Sequence, residues 1–320
     1  MRFLCRLAVL VLAVAFAGPI QAQTFPSKPV RFIIGFTPGT IVDAVARLLA
    51  NELEKRFEQP IVLEFKPGAN ATIAAKYVVG APADGYTLFY GNVMSINPLF
   101  MASNAVDAGK DLASVSRIAT APYFMYASGR IPVKTLQELV SHARANPDSL
   151  TYGTTSQTFD LFMQMLKDRT GITARGIPYK VSTQITQAMM AGELDLSITS
   201  NVQSNLAGIR NGRIKPLFVT GARRSPLLPN VQTAGEVGIS DFELSINFGL
   251  WAPVGTPRPV IERLSHTSVT SLAPPEVANN ILAKAAAEAV GSTPEEQMKV
   301  FEAEVRLWSD AARRGNFKPQ

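Results

Sequence analysis

The chain has 320 residues, 47% of them hydrophobic and 18% charged, with 22 Gly and 22 Pro. That length gives room for about two domains with a substantial core, and the composition excludes disordered, collagen-like and coiled-coil architectures. The formal net charge is +6, and a single cysteine and two histidines exclude a disulfide framework and a Cys-cluster metal site and leave little for histidine chemistry.

Residues 1–22 have the three parts of a secretory signal. Arg2 and Arg6 give a positive start, Leu7 to Ala17 is unbroken apolar sequence, and Ile20-Gln21-Ala22 offers a small-residue cleavage site. The run is too short to cross a bilayer, which takes roughly 20 apolar residues. Cys5 precedes the run and is badly placed for a lipid anchor. Cleavage would start the mature chain near Gln23, without cysteine and with a net charge of +4. The compartment this predicts is a bacterial periplasm. The remaining Lys and Arg are scattered among acids, as in Glu52-Leu53-Glu54-Lys55-Arg56, with no basic run interleaved with aromatics, so no nucleic-acid partner is expected.

Beyond the signal, strand, polar turn and helix follow one another repeatedly. Val30 to Ile34 reads as a strand, Ile41 to Phe57 as a helix with Ile41, Val45, Leu48, Leu49 and Leu53 on one face, and Ile61 to Phe65 as a second strand. Thr40 and Asp43 stand three apart ahead of that helix, as in a capping box. Ala71 to Val79 reads as a helix and Tyr86 to Tyr90 as a strand. A helix capped by Thr135 and Glu138 runs through Ala145, followed by a strand at Leu150 to Gly153. Then come a helix at Phe159 to Arg169, a strand at Ile177 to Tyr179, a helix at Thr183 to Ala191, and strands at Leu194 to Thr199 and Leu217 to Thr220. Strand-like sequence returns at Ser245 to Trp251, and helices opening at Thr256-Pro257 and Thr293-Pro294 end the chain. Met298, Phe301, Val305 and Trp308 lie at helical spacing and read as core packing. The pattern predicts an α/β protein of two lobes, with open parallel sheets flanked by helices and ligands at the carboxyl ends of strands. With crossovers near Ala121 and Ile246, one lobe comprises residues 23–121 and 247–320 and the other 122–246.

No G-x-S-x-G elbow, G-x-G-x-x-G fingerprint, P-loop or H-E-x-x-H is present. His142 and His266 lie in polar stretches and read as surface. Four strand-end loops are instead rich in small hydroxyl and amide side chains: Phe36-Thr37-Pro38-Gly39-Thr40, Gly91-Asn92-Val93-Met94-Ser95, Thr154-Thr155-Ser156-Gln157 and Thr199-Ser200-Asn201. Taken singly, such residues are ordinary helix caps. At the ends of successive strands they present backbone donors at helix amino ends, where free N–H groups and the dipole favour an anion. This is a binding site without a catalyst, needing no cofactor and no metal.

Specific segments carry a resemblance. Phe25-Pro26-Ser27-Lys28-Pro29-Val30-Arg31-Phe32-Ile33-Ile34, Phe36-Thr37-Pro38-Gly39 and Asp43-Ala44-Val45-Ala46-Arg47 open it. Pro67-Gly68-Ala69, Ala83-Asp84-Gly85-Tyr86-Thr87-Leu88, Ile96-Asn97-Pro98, Ile177-Pro178-Tyr179-Lys180, Arg224-Ser225-Pro226, Leu228-Pro229, Trp251-Ala252-Pro253 and Gly255-Thr256-Pro257 continue it in order. Together they resemble the solute-binding proteins of tripartite tricarboxylate transporters, the Bug family. The resemblance implies a periplasmic, two-lobed, type II binding protein, expected to work as a monomer, that closes over a carboxylate and delivers it to transmembrane permease subunits. Carried over by motif, the carboxylate would meet Phe36 through Thr40, the Asn92-to-Ser95 loop with Met94, and Thr154 through Gln157.

Departures from the family pattern bear on the ligand. Thr40 stands where the family usually has a second glycine, Val181 where it has glycine after Pro-Tyr-Lys, and the segment Thr199-Ser200-Asn201 lacks the aspartate that can receive an amino group. An amino-acid ligand is therefore disfavoured and a dicarboxylate favoured. Phe159, near the start of a helix, could stack on a flat acid of the terephthalate or phthalate type, although its other reading is plain core. Asn201, Gln203 or Asn247 could meet the far carboxylate. Two alternatives stay open: an α/β enzyme acting on a small carboxylic acid, with only Asp160 and Lys180 as acid–base candidates, and a ligand sensor for a signalling receptor.

Overall fold

Two sheets organise the chain in a computed structural model that describes residues 25–101, 105–315 and 317. The segment read as a signal, residues 1–22, lies outside the described residues. The first sheet contains β1 (Val30–Ile34), β2 (Ile61–Phe65), β3 (Thr87–Gly91), β4 (Leu112–Pro122), β10 (Ser245–Pro253) and β11 (Glu288–Ala289), in the order β11-β4-β10-β3-β1-β2. The second contains β5 (Phe124–Ser128), β6 (Thr151–Thr154), β7 (Arg175–Pro178), β8 (Leu196–Thr199) and β9 (Ile214–Val219), in the order β7-β6-β8-β5-β9.

Side-chain alternation assigns the first sheet's two faces. Phe32 and Ile34 of β1 enter one core with Leu88, Tyr90, Phe248 and Leu250, while Ile33 and Phe89 enter the other with Trp251. Helix α1 (Ile41–Phe57) buries Val42, Val45, Ala46, Leu49 and Leu53 on the first of these faces, the stripe its period requires. Helix α2 (Thr72–Val79) covers the opposite face with Ala74, Ala75 and Val78. The remaining helices are α3 (Ala108–Asp111), α4 (Leu136–Ala145), α5 (Gln157–Thr170), α6 (Ser182–Ala191), α7 (Leu206–Arg210), α8 (Arg258–Leu272), α9 (Pro275–Ala285) and α10 (Pro294–Arg314). On α10, Phe301 and Trp308 are buried and Met298 and Val305 pack beside them, with Trp251 meeting Phe301 edge-on at 5.6 Å. Thr135 accepts from the Glu138 amide, and Thr293 and Glu296 form a reciprocal capping box. At α8 the expected start shifts by one residue: Pro257 is the cap, and the Thr256 hydroxyl donates to the Pro253 carbonyl at 2.8 Å.

The sheets are mixed rather than parallel. β1 runs parallel to β2 and β3, but β10 lies antiparallel between β3 and β4. In the second sheet β6 is parallel to β7 and β8, and β5 is antiparallel to β8 and β9. The chain leaves the first sheet at the end of β4, enters the second at Phe124, and returns at Ser245. A strand arriving from the second sheet at the end where β4 departs must run back against β4. β4 escapes the sequence reading because Leu112–Pro122 is rich in Ala and Ser, residues without strong strand preference, and the short β5 begins just past Pro122. Among the described residues no helix is long and apolar enough to cross a membrane.

Candidate functional site

Register alone brings the polar loops toward one place. Ser245 pairs with Pro122 and Gly249 with Gly91, so the carboxyl ends of β3 and its parallel neighbour β1 point toward the crossover strands. In the second sheet Thr199 pairs with Phe124, which puts the carboxyl ends of β8 and β6 at the same crossover. All four loops singled out from the sequence therefore emerge on the crossover side of their sheets.

In the first loop, Thr37, Pro38 and Gly39 are exposed, and Phe36 and Thr40 are half-buried. The expected capping box does not form. Thr40 donates instead to the Thr37 carbonyl at 3.0 Å, and buried Asp43 reaches past it to accept from the Gly39 amide at 2.8 Å. Arg47 pairs with the Asp43 carboxylate at 2.7 Å, so the amino end of α1 already holds a neutralised anion of its own. The second loop is closed by Asn92, which is buried and accepts from the Ser95 amide at 3.2 Å. The Ser95 hydroxyl donates back to the Asn92 carbonyl at 2.8 Å, and Met94 is buried.

The second sheet's loops are also internally tied. The Thr154 hydroxyl donates to the Ser156 carbonyl at 2.9 Å; Thr154, Thr155 and Ser156 are half-buried and Gln157 is buried. Ser156 caps α5 without a side-chain bond. Phe159 is half-buried with its ring edge-on to Tyr123 at 6.2 Å, in contact with the core. Thr199 accepts from the Asn201 amide at 3.0 Å, and Asn201 accepts from the Ser204 hydroxyl at 3.0 Å through its carbonyl. Gln203 donates across to the Ala283 carbonyl on α9 at 2.8 Å.

Asn247 is held at both ends of its amide. It donates to Glu304 of α10 at 2.8 Å and accepts from Arg117 of β4 at 3.3 Å. Burial pushes the Glu304 carboxyl up to about 7, against the opposing pull of the Asn247 hydrogen bond and the Arg117 charge. Burial likewise lowers Arg117, while Glu304 and Glu296 oppose the shift. Of the two acid–base candidates, Asp160 accepts from the Tyr152 hydroxyl at 2.6 Å and Lys180 is exposed. His266 is exposed and His142 half-buried. Among the described residues no cluster of His, Cys, Asp or Glu could hold a metal.

One polar residue of this region has no signature in the sequence reading. Thr72, the first residue of α2, is 2% exposed, and its hydroxyl has no hydrogen-bond partner among the described residues. It follows a tight segment in which Ala69, Asn70 and Ala71 all take positive φ values of 45°, 52° and 74°. That segment presses on the end of β1: a Cβ on Gly35 would stand 2.2 Å from the Ala71 Cβ.

Two α/β sheets joined by crossover strands, with polar strand-end loops converging there, define the two-lobed periplasmic binding-protein class. The sequence profile described as tripartite tricarboxylate transporter family receptor matches residues 45–314, and the chain belongs to that family. A solved Rhodopseudomonas palustris protein with adipate, Rpa4515, is 30% identical with a TM-score of 0.83, covering 92% of this chain and 100% of its own. BugD, described as a periplasmic binding protein, is 26% identical with a TM-score of 0.79 over 92% and 100% of the two chains. MatC of Rhodopseudomonas palustris, solved with malate, is 26% identical with a TM-score of 0.77 over 90% and 99%.

Proposed function

We propose that this chain is a periplasmic receptor that captures a dicarboxylate between two lobes and hands it to the permease subunits of a tripartite tricarboxylate transporter. The lobes are residues 23–121 with 247–320, and 122–246, and closure takes place about the crossovers. The observation that carries this reading is the convergence of four polar strand-end loops, Phe36–Thr40, Asn92–Ser95, Thr154–Gln157 and Thr199–Asn201, on one crossover with no metal cluster among the described residues. Hydroxyls, amides and helix amino ends bind a carboxylate but do not activate it, so the chain acts as a monomeric binder without cofactor rather than as an enzyme. Adipate and malate in two relatives are both dicarboxylates, which supports the same class here. Within it we favour a flat aromatic acid such as terephthalate, with Phe159 beside it.

Calorimetric titration of the mature chain tests this. The panel is adipate, malate, terephthalate, phthalate and free amino acids. Binding at micromolar affinity corresponds to about −8.2 kcal/mol, within reach of several neutral hydrogen bonds plus buried apolar surface. Affinity for amino acids and none for dicarboxylates would overturn the ligand class. Phe159→Leu should weaken terephthalate more than adipate; equal losses return Phe159 to the core alone.

A further inference from the structure

We propose that capture of a dicarboxylate by this chain is coupled to uptake of a proton at Glu304, the carboxyl group behind the crossover. The proposal rests on the receptor reading and adds to it a linkage between the charge of the ligand and pH.

Glu304 lies midway along α10, a helix that touches the layers of both sheets. At its amino end the Ser114 hydroxyl of β4 stands 2.9 Å from the Pro294 carbonyl and 2.8 Å from the Gln297 side-chain oxygen. Its carboxyl end meets α5 of the second sheet, where a Cβ on Gly315 would stand 2.8 Å from Gln164. Between these ends the Glu304 carboxylate is half-buried and accepts from the Asn247 amide at 2.8 Å. Asn247 pairs with Thr120 in β10 and β4, the strands by which the chain re-enters and leaves the first sheet. Tyr123, just past β4, has its phenol in the field of the Glu304 charge and its ring edge-on to Phe159 at 6.2 Å. Glu304 therefore sits behind a crossover residue whose other neighbour opens the helix after the 154–157 loop.

Among the described residues no cation pairs with that carboxylate directly. Arg117 of β4 donates to the far end of the Asn247 amide at 3.3 Å, so its charge stands one side chain away. The other elements against α10 supply no second cation. β10 and the 93–96 turn have no ionisable side chain. On α5, Asp160 is bonded to Tyr152, Asp168 to Gln164, Arg169 to the Asp241 carbonyl, and Lys167 is exposed. On α8, Arg258 pairs with Glu262, Arg263 lies over the Phe57 ring and His266 is exposed. Glu296 of α10 itself acts on Arg117.

A carboxylate buried beside one neutral donor holds its proton firmly. Burial pushes Glu304 up to about 7, so near neutral pH it is divided between charged and neutral forms. A dianion brought to the crossover repels the charged form. Within a Debye length, about 8 Å in physiological salt, and across packed protein, that repulsion is only weakly screened. The carboxylate then takes a proton from the buffer, and by reciprocity the protonated protein binds the dianion more tightly. Because the liganded value lies above the free value of about 7, affinity is greatest below that pH and is lost as pH rises through the window above it.

The test is calorimetric titration of the wild-type mature chain with adipate, malate and terephthalate at about pH 7.5 in HEPES and in Tris. These buffers differ in ionisation enthalpy, so the difference in apparent heat counts the protons taken up. The ligands' own carboxyls, with ordinary values near about 4, are ionised throughout and add nothing. Uptake of about half a proton is expected for whichever dicarboxylate binds, with affinity falling about fivefold or more from about pH 6 to 9. Glu304→Gln keeps an acceptor for Asn247 and removes the titration, so uptake should vanish and affinity become level with pH. His142 and His266 also titrate in this range and are untouched by E304Q; uptake that persists in the variant overturns the proposal. Wild-type binding without proton exchange, or with proton release, overturns it and leaves the receptor reading standing. Wild-type protein that binds none of the three overturns the proposal and the dicarboxylate reading together.

Discussion

Helices α1 and α2 rise from neighbouring parallel strands, and their amino ends open on the same side of the sheet. They are finished differently. At α1, Asp43 folds back on the Gly39 amide and is itself paired with Arg47, which sets a paired carboxylate in the helix's first turn. At α2 there is no acid in the first turn, the Ala71 and Thr72 amides donate to the Gly68 and Ala69 carbonyls, and the buried Thr72 hydroxyl has no partner among the described residues. A loop rich in Thr, Pro and Gly draws attention to the first helix, yet the buried hydroxyl without a partner among the described residues stands at the second. Availability to a ligand is decided by what a helix's own first turn consumes, not by how polar its entry loop looks.

The largest expected effect comes from prying the two loops apart. Gly35→Val places its side chain against Ala71, and such overpacking should cost about 2 kcal/mol, read as a lowered denaturation midpoint. Unaltered stability would mean that the two ends are not locked together. Asp43→Ala should cost about 1 kcal/mol of stability, as lost caps do, with dicarboxylate affinity held or improved. A tenfold fall in affinity at unchanged stability would make the α1 end part of the site and end the contrast.

The smallest effect concerns pH and the pair behind Asn247. The Glu304 carboxyl stands at about 7 in the fold, above its ordinary value of 4.5. The folded state thus holds the proton more tightly than the unfolded chain does. Stability from this group is complete below pH 4.5 and is lost as pH rises through about 7. Melting temperature should therefore decline over that window in the wild type and more shallowly in Glu304→Gln. Parallel profiles would show that Glu304 titrates normally. The comparison is sharpened too, because Asn247, satisfied by Glu304 and Arg117, behaves like the α1 end rather than the α2 end.

Much of the fold is legible in the sequence where local pattern and tertiary role coincide. The bounds of β1, α1 and β2 follow from apolar runs and a stripe of 3.6-residue period, and Thr293 caps the helix that opens at Pro294, as its sequence indicates. The crossover strand β4 is not legible, because its Ala- and Ser-rich sequence is made a strand by its pairing with β10 on one side and β11 on the other. The family is legible because its motifs recur in order along the chain, and the profile match over residues 45–314 agrees.

The sequence by itself determined the alternation of strands and helices, the polar strand-end loops and the missing catalytic motifs. Tertiary structure alone decided which polar groups are already spoken for. Asn247 meets an arginine 130 positions away and a glutamate 57 positions away, and the Thr72 hydroxyl meets no partner among the described residues. The physical reason is that secondary-structure preference is written in near neighbours, whereas satisfaction of a hydrogen bond depends on whichever residues folding brings within about 3 Å.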